Sequence, residues 1–326
     1  MNRSLRWLLA ASLTVLPGIW APAAAEGYPE KPIRLFIPYT PGGSTDLTGR
    51  IYAEALQAIL GQNIIVENKP GAAGTIGIDA VAKSKPDGYT LGVSGVGPTA
   101  IVPTIDAKVP YQPARDLDII AGLSIVDVAF VTLPNSKYNS IKELLDDARA
   151  NPDKISYATA GVATPVHLDG ENLGHLAKVK MIHVPFQGDV PAITAVLSGD
   201  VVLGGVAAAS ATPFITSGKL KVISAGGPER LKLKPDVATV AEQTGFKDYT
   251  AFTWNMLVAA RGTPPEIIEK LNKAVNEAAA KPEVKAKLEN LGLKVMPGDK
   301  KWAQEFVLNQ IARNKAIIDT IGLKRE

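Results

Sequence analysis

Short β-branched and apolar runs alternate with longer stretches of helical spacing along most of the chain. That alternation restricts it to layered α/β architecture with a mostly parallel sheet. Residues 33–38 form a short apolar run and read as a strand. Residues 48–60 place Ile51, Ala55 and Ile59 on one face, with Leu56 and Leu60 beside them, and Gly61 ends the helix. Residues 64–67 and 89–93 read as further strands, with a helix over 75–84 between them. A second unit repeats this grammar. Strands are expected over 129–133, 155–158, 181–184, 200–204 and 220–224, and helices over 140–149, 165–176 and 190–197. Ser140 with Glu143 predicts a capping box. After a strand over 252–259 come three polar-faced helices, over 264–280, 282–291 and 300–321. Thr263, Pro264 and Glu266 mark the start of the first. No exact internal repeat or low-complexity tract is present.

Residues 1–25 stand apart from this pattern. Arg3 and Arg6 precede an apolar run from Trp7 to Trp20, and Ala23 and Ala25 are small residues at the end. This is the layout of a secretory signal peptide, with cleavage expected after Ala25. The alternative, an uncleaved anchor, meets a run short of the ~20 residues a span needs. Removing Arg3 and Arg6 lowers the basic count from 35 to 33 and the net charge from +3 to +1. No long basic run or basic–aromatic patch remains, so nucleic acid is not an expected partner. The chain has no cysteine and only three histidines, His167, His175 and His183. That excludes disulfides, thiolate catalysis and lipid attachment through cysteine, and leaves little with which to build a metal site. No cofactor is expected. Gly95, Gly97 and Ala100 superficially fit a dinucleotide fingerprint, but Pro98 is awkward there and no acidic residue ends a strand about 20 residues on.

Two loops carry the functional reading. Pro41, Gly42, Gly43, Ser44, Thr45 and Asp46 lie between the first strand and its helix. Two glycines let backbone approach a ligand, Ser44 or Thr45 can cap, and the helix start offers unpaired N–H groups. Thr159 to Pro165 occupy the same place in the second unit, with Thr164 suited to the cap and Pro165 to the first turn. In α/β sheets ligands sit at this end of the strands. Two such ends facing across a cleft make a clamp for a small carboxylate. Each loop alone also fits an ordinary tight turn. Asp46 also reads as a simple helix-dipole acid. His167 reads first as a hydrogen-bonded structural residue and second as a ligand contact. His175 and His183 read as helix surface and strand.

Several segments in order resemble the Bug family, the tricarboxylate-binding-receptor-like solute receptors of tripartite tricarboxylate transporters. They run from Tyr28, Pro29, Glu30, Lys31 and Pro32 into Pro38, Tyr39, Thr40, Pro41, Gly42 and Gly43. Val66-Glu67-Asn68-Lys69-Pro70-Gly71, Lys85-Pro86-Asp87-Gly88-Tyr89 and His183-Val184-Pro185-Phe186-Gln187-Gly188 follow. Pro235-Asp236-Val237 and Gly262-Thr263-Pro264 extend the likeness over almost all of the chain after residue 25. The resemblance implies a two-lobed periplasmic-binding-protein fold of type II character, with two Rossmann-like lobes around a ligand cleft. Lobe one would take 26–127 and 253–326, and lobe two 128–252. It implies a monomeric, non-catalytic periplasmic receptor for a small organic carboxylate, delivering it to membrane subunits of the transporter. The matching site positions are Thr40 to Asp46 in lobe one and Gly161, Val162, Ala163 and Thr164 in lobe two. Tyr39 and Phe186 match aromatic positions near the cleft, and Ser94 to Gly97, at the end of the third strand, are expected to line its far wall. Where the family often has a Phe-Asp pair, this chain has Gly205, Val206 and Ala207; Val162-Ala163 replace a glycine and a hydroxyl. Two other functions fit less of the sequence: a ligand sensor for a membrane signalling system, and a secreted hydrolase using Ser44 with His167 or Asp46.

Overall fold

The computed structural model describes residues 27–324; the expected signal peptide over 1–25 lies outside the described residues. The elements run β1 (Ile33–Ile37), α1 (Ser44–Leu60), β2 (Ile64–Asn68), α2 (Thr75–Ala82), β3 (Thr90–Gly95), α3 (Val102–Ile105), α4 (Pro113–Asp116) and β4 (Leu117–Thr132). Then come α5 (Ile141–Ala150), β5 (Ser156–Thr159), α6 (Pro165–Ala177), β6 (Ile182–Pro185), α7 (Asp189–Ser198), β7 (Leu203–Ala207), α8 (Ala208–Thr216) and β8 (Lys221–Ala225). The chain closes with α9 (Val240–Thr244), β9 (Phe252–Ala260), α10 (Pro265–Ala280), α11 (Pro282–Asn290), β10 (Leu293–Val295) and α12 (Lys300–Ile321).

The fold is α/β and two-lobed. In the first lobe β2, β1 and β3 are parallel neighbours, with α1 carrying the chain from β1 to β2 and α2 from β2 to β3. In the second, β6, β5 and β7 repeat the arrangement. The sheets are mixed rather than mostly parallel, because β4 and β9 run back against both sets. The strand expected over 129–133 is the end of β4, which is 16 residues long. β4 pairs with β9 as far as Asp127 opposite Phe252. From Val128 on it pairs instead with β7 and β8. Asp118, Ser124 and Asp127 interrupt its apolar pattern, yet each is buried and given a partner by the fold.

Each lobe has its own packed interior. Leu35, Leu56, Leu271 and Val275 form one cluster in the first lobe. Trp254, Met256, Ile101 and Ile318 form another on the opposite face of the sheet, which also reaches Ala163 and Leu168 of the second lobe. The second lobe packs Phe130, Tyr157 and Leu144 on one face and Ile193, Val196 and Ala211 on the other. β7 begins three residues later than expected and runs on through two glycines to Ala207. A Cβ on Gly204 would lie 2.9 Å from the Val196 side chain, and one on Gly205 2.7 Å from that of Val166. Glycine weakens the strand signal but lets α7 and α6 sit directly on the sheet.

Two cap expectations change in detail. Ser140 accepts the Glu143 N–H, but the Glu143 carboxylate takes the N–H of Asn139, not that of Ser140. The complete capping box is at Thr239 and Glu242. The Thr263 hydroxyl donates to the Ala260 carbonyl and so closes the turn after β9, leaving Pro264 as the N-cap of α10.

Candidate functional site

The first loop is held from behind. Asp46, in the first turn of α1, is buried and accepts from Gly42 N at 2.9 Å, Asn68 Nδ2 at 2.9 Å and Arg50 Nε at 3.0 Å. Burial opposes its charge, but the hydrogen bonds from Arg50, Gly42 and Asn68 outweigh that and hold the carboxyl below its usual value. Asn68 also donates to the Tyr39 carbonyl at 3.0 Å. The N-cap of α1 is Gly43, not Ser44 or Thr45, and no side chain caps it. The first-turn N–H groups therefore keep their capacity for an outside acceptor.

The second loop is fixed by its own cap. Thr164 is the N-cap of α6; its hydroxyl accepts from His167 N and donates to Gly161 O at 2.7 Å. His167 Nδ1 accepts the Ala163 N–H at 3.2 Å. The His167 ring stacks on His183 with centroids 4.0 Å apart. Burial pushes His167 down, and burial with the neighbouring His167 pushes His183 down to about 3. Both rings are therefore neutral at physiological pH, as the acceptor role of Nδ1 requires.

Five loops converge at the carboxyl ends of the parallel strands. Of the expected residues, Tyr39, Thr40, Gly43, Ser44, Thr45, Gly95, Thr164 and Ala207 line one interlobe cavity of about 50 Å³. That volume holds no more than a water or two, so an organic acid enters only when the lobes part. Thr40 Oγ1 donates to Gln187 O across the gap at 3.1 Å, a direct closing contact. Gly161, Val162, Ala163 and Phe186 line a separate groove of about 220 Å³ on the far side of the second loop. Ser94 is turned inward, its hydroxyl 2.7 Å from that of Thr99. Val206 is fully buried in the second lobe. Pro41, Gly42, Asp46 and His167 shape the loops from outside the cavity. The hydrolase arrangement does not assemble, since His167 Nδ1 and the Asp46 carboxylate are both committed to backbone and loop partners.

The cavity also takes Val96, expected on the far wall, and residues the sequence reading missed, among them Val166, Gly188, Asp189 and Thr253. Gly188 and Asp189 had a legible signal. They follow β6 and open α7, a third strand–loop–helix junction of the same kind. Asp189 is buried; its Oδ2 accepts from Ser210 Oγ at 2.8 Å and its Oδ1 from Ala207 N at 3.5 Å. The backbone N–H of Ser44, from the opposite lobe, stabilises it as well. Burial nevertheless pushes its carboxyl up. The lining contains no lysine, arginine or histidine. Among the described residues no group of three or more His, Cys, Asp or Glu could hold a metal ion. Among them, too, no helix is long and apolar enough to cross a membrane.

Two lobes closing on a cleft lined by helix N-termini and small side chains define a solute-binding receptor. The sequence profile described as "Tripartite tricarboxylate transporter family receptor" matches residues 48–323, and the chain belongs to that family of periplasmic solute-binding receptors. It is 32% identical to the protein BugT of Bordetella pertussis over 308 residues, which cover 94% of each chain. Among solved structures, the periplasmic binding protein BugD superposes with a TM-score of 0.86 at 30% identity, covering 92% of this chain and 100% of that one. MatC from Rhodopseudomonas palustris with bound malate superposes with a TM-score of 0.83 at 30% identity, covering 89% and 100%.

Proposed function

We propose that this receptor captures a small organic carboxylate between its lobes and delivers it to the membrane subunits of a tripartite tricarboxylate transporter. The observation that carries the reading is the convergence of the α1 and α6 N-termini on one cleft, with Gly43 as an N-cap that has no side chain to cap the α1 amides. Backbone N–H groups and helix dipoles suit a carboxylate where no guanidinium is offered. The malate held by MatC supports the class of ligand. The lobes are taken as residues 26–127 with 253–326, and 128–252. The chain works in the periplasm as a monomer, exported through the leader over residues 1–25.

A thermal-shift screen of mono-, di-, tri- and aromatic carboxylates, together with amino acids, tests this. Ligand that binds only the folded chain raises the melting temperature by mass action, by about 2.7 kcal/mol of stability at a hundredfold excess over Kd. Absence of a shift with every acid would overturn the reading.

A further inference from the structure

The cleft holds one charged side chain, and it is an anion. Asp189 stands at the N-terminus of α7 in the second lobe and lines the cavity opposite Gly43, Ser44 and Thr45 of the first. A Cβ on Gly43 would lie 3.8 Å from its Oδ2. Its three donors, Ser210 Oγ–H, Ala207 N–H and Ser44 N–H, are all neutral. A buried carboxylate served only by neutral dipoles remains under-compensated. One of those donors belongs to the helix end that a ligand carboxylate would occupy. In the closed cleft Asp189 thus accepts the Ser44 N–H that a ligand carboxylate would take.

Resting on the receptor reading above, we infer that Asp189 selects a zwitterionic ligand: one carboxylate for the α1 and α6 N-termini and one ammonium group for Asp189. A ligand bearing only carboxylates would set a second anion beside a buried first one, with no cation in the lining to offset either. An ammonium turns the same contact into a paired, charge-assisted hydrogen bond. Val96, Pro165 and Val166 supply apolar wall for the rest of the ligand. The burial that raises the Asp189 carboxyl is an effect that a bound cation would oppose.

The test is a binding screen at pH 7.5 by thermal shift and calorimetry, using the twenty amino acids, β-alanine and γ-aminobutyrate against malate, adipate, citrate and benzoate. The wild type is expected to bind an amino acid and none of the pure acids. Asp189→Asn, which keeps the shape and removes the charge, should weaken the amino acid at least ~30-fold and admit a dicarboxylate. Asp189→Ser serves as the second variant, and unchanged far-ultraviolet circular dichroism shows that both are folded. Wild-type binding of malate, adipate or citrate that neither variant alters, with no amino acid bound, would overturn this inference and leave the receptor reading intact. Binding of an amino acid with equal affinity by Asp189→Asn would overturn it too. If no compound in either set binds, the receptor reading falls and this inference with it.

Discussion

Gly43 and Gly161 occupy equivalent places in the two cleft loops, yet substitution would act on them differently. Gly43 has φ −75°, a conformation open to any residue, and a Cβ there would meet nothing nearer than 3.7 Å. Gly161 has φ +134°, and a Cβ there would lie 3.1 Å from the Phe186 carbonyl. Gly43→Val should therefore fold, at a cost of about 1 kcal/mol for a poorer N-cap, while its methyl groups fill the cleft. The ligand-induced rise in melting temperature should disappear, as differential scanning fluorimetry would show; a retained shift would remove this loop from the site. Gly161→Val, by contrast, strains the loop itself and cannot separate folding from binding. The acids show where legibility at this scale ends. Asp46 and Asp189 both stand in the first turn of a helix after a glycine-containing loop, and the one local difference is Arg50, four residues on from Asp46, where Asp189 has Ile193. The fold does the rest: it adds the amide of Asn68 to Asp46 and gives Asp189 only neutral donors inside the cleft.

Among the elements, those with chemical end signals were legible and those defined by partners were not. Thr164 and Pro165 mark the start of α6, and Gly61 and Gly322 are left-handed C-caps that end α1 and α12. α12 spans the interval that the polar-faced periodicity gives. The first part of β4, before residue 129, was not legible, because its polar residues break the strand pattern and are buried only by the opposite element. The cap of α6 carries a prediction. Thr164→Ala removes both the acceptor for His167 N–H and the donor to Gly161 O, and should cost about 1 kcal/mol as a lower urea midpoint. Because the same hydroxyl fixes the loop beside the cleft, ligand affinity should fall as well. Thr164→Ser keeps the oxygen and should restore most of both. A serine variant as weak as the alanine variant would show that the methyl group, not the hydroxyl, carries the effect.

Across the whole molecule, the change of partner along β4 between Asp127 and Val128 joins the lobes into one structure that must flex. No local pattern announces that change, since it depends on β7, β8 and β9, which arrive 70 or more residues later by the registers they adopt. Near this junction α6 of one lobe packs on α12, whose Arg313 donates to the Thr250 carbonyl. Asp169 of α6 is buried there with one carboxyl oxygen lacking a partner. Burial pushes its carboxyl up to about 8, against the attraction of Arg313. Its unfolded value is about 3.9. Between these values the folded state holds a proton that the unfolded state has released, so stability must fall as pH rises towards 8 and level off above it. Burial raises Asp189 too and adds in the same sense. The histidines act in the opposite direction. His183 and His167 are depressed in the folded state, so the unfolded chain takes up their protons first, and stability falls as pH drops below about 6.5. Stability should thus fall from pH 6.5 to 8, while below 6.5 the two senses oppose each other and largely offset. Urea midpoints measured from pH 6.5 to 8 should fall by about 1 kcal/mol per pH unit or more. Asp169→Asn should make that alkaline slope shallower by about 1 kcal/mol per pH unit and, below pH 6.5, unmask the fall towards acid that the histidines cause. An unchanged slope in the variant would show that Asp169 is already ionised in the folded protein, with Arg313 as its counter-charge.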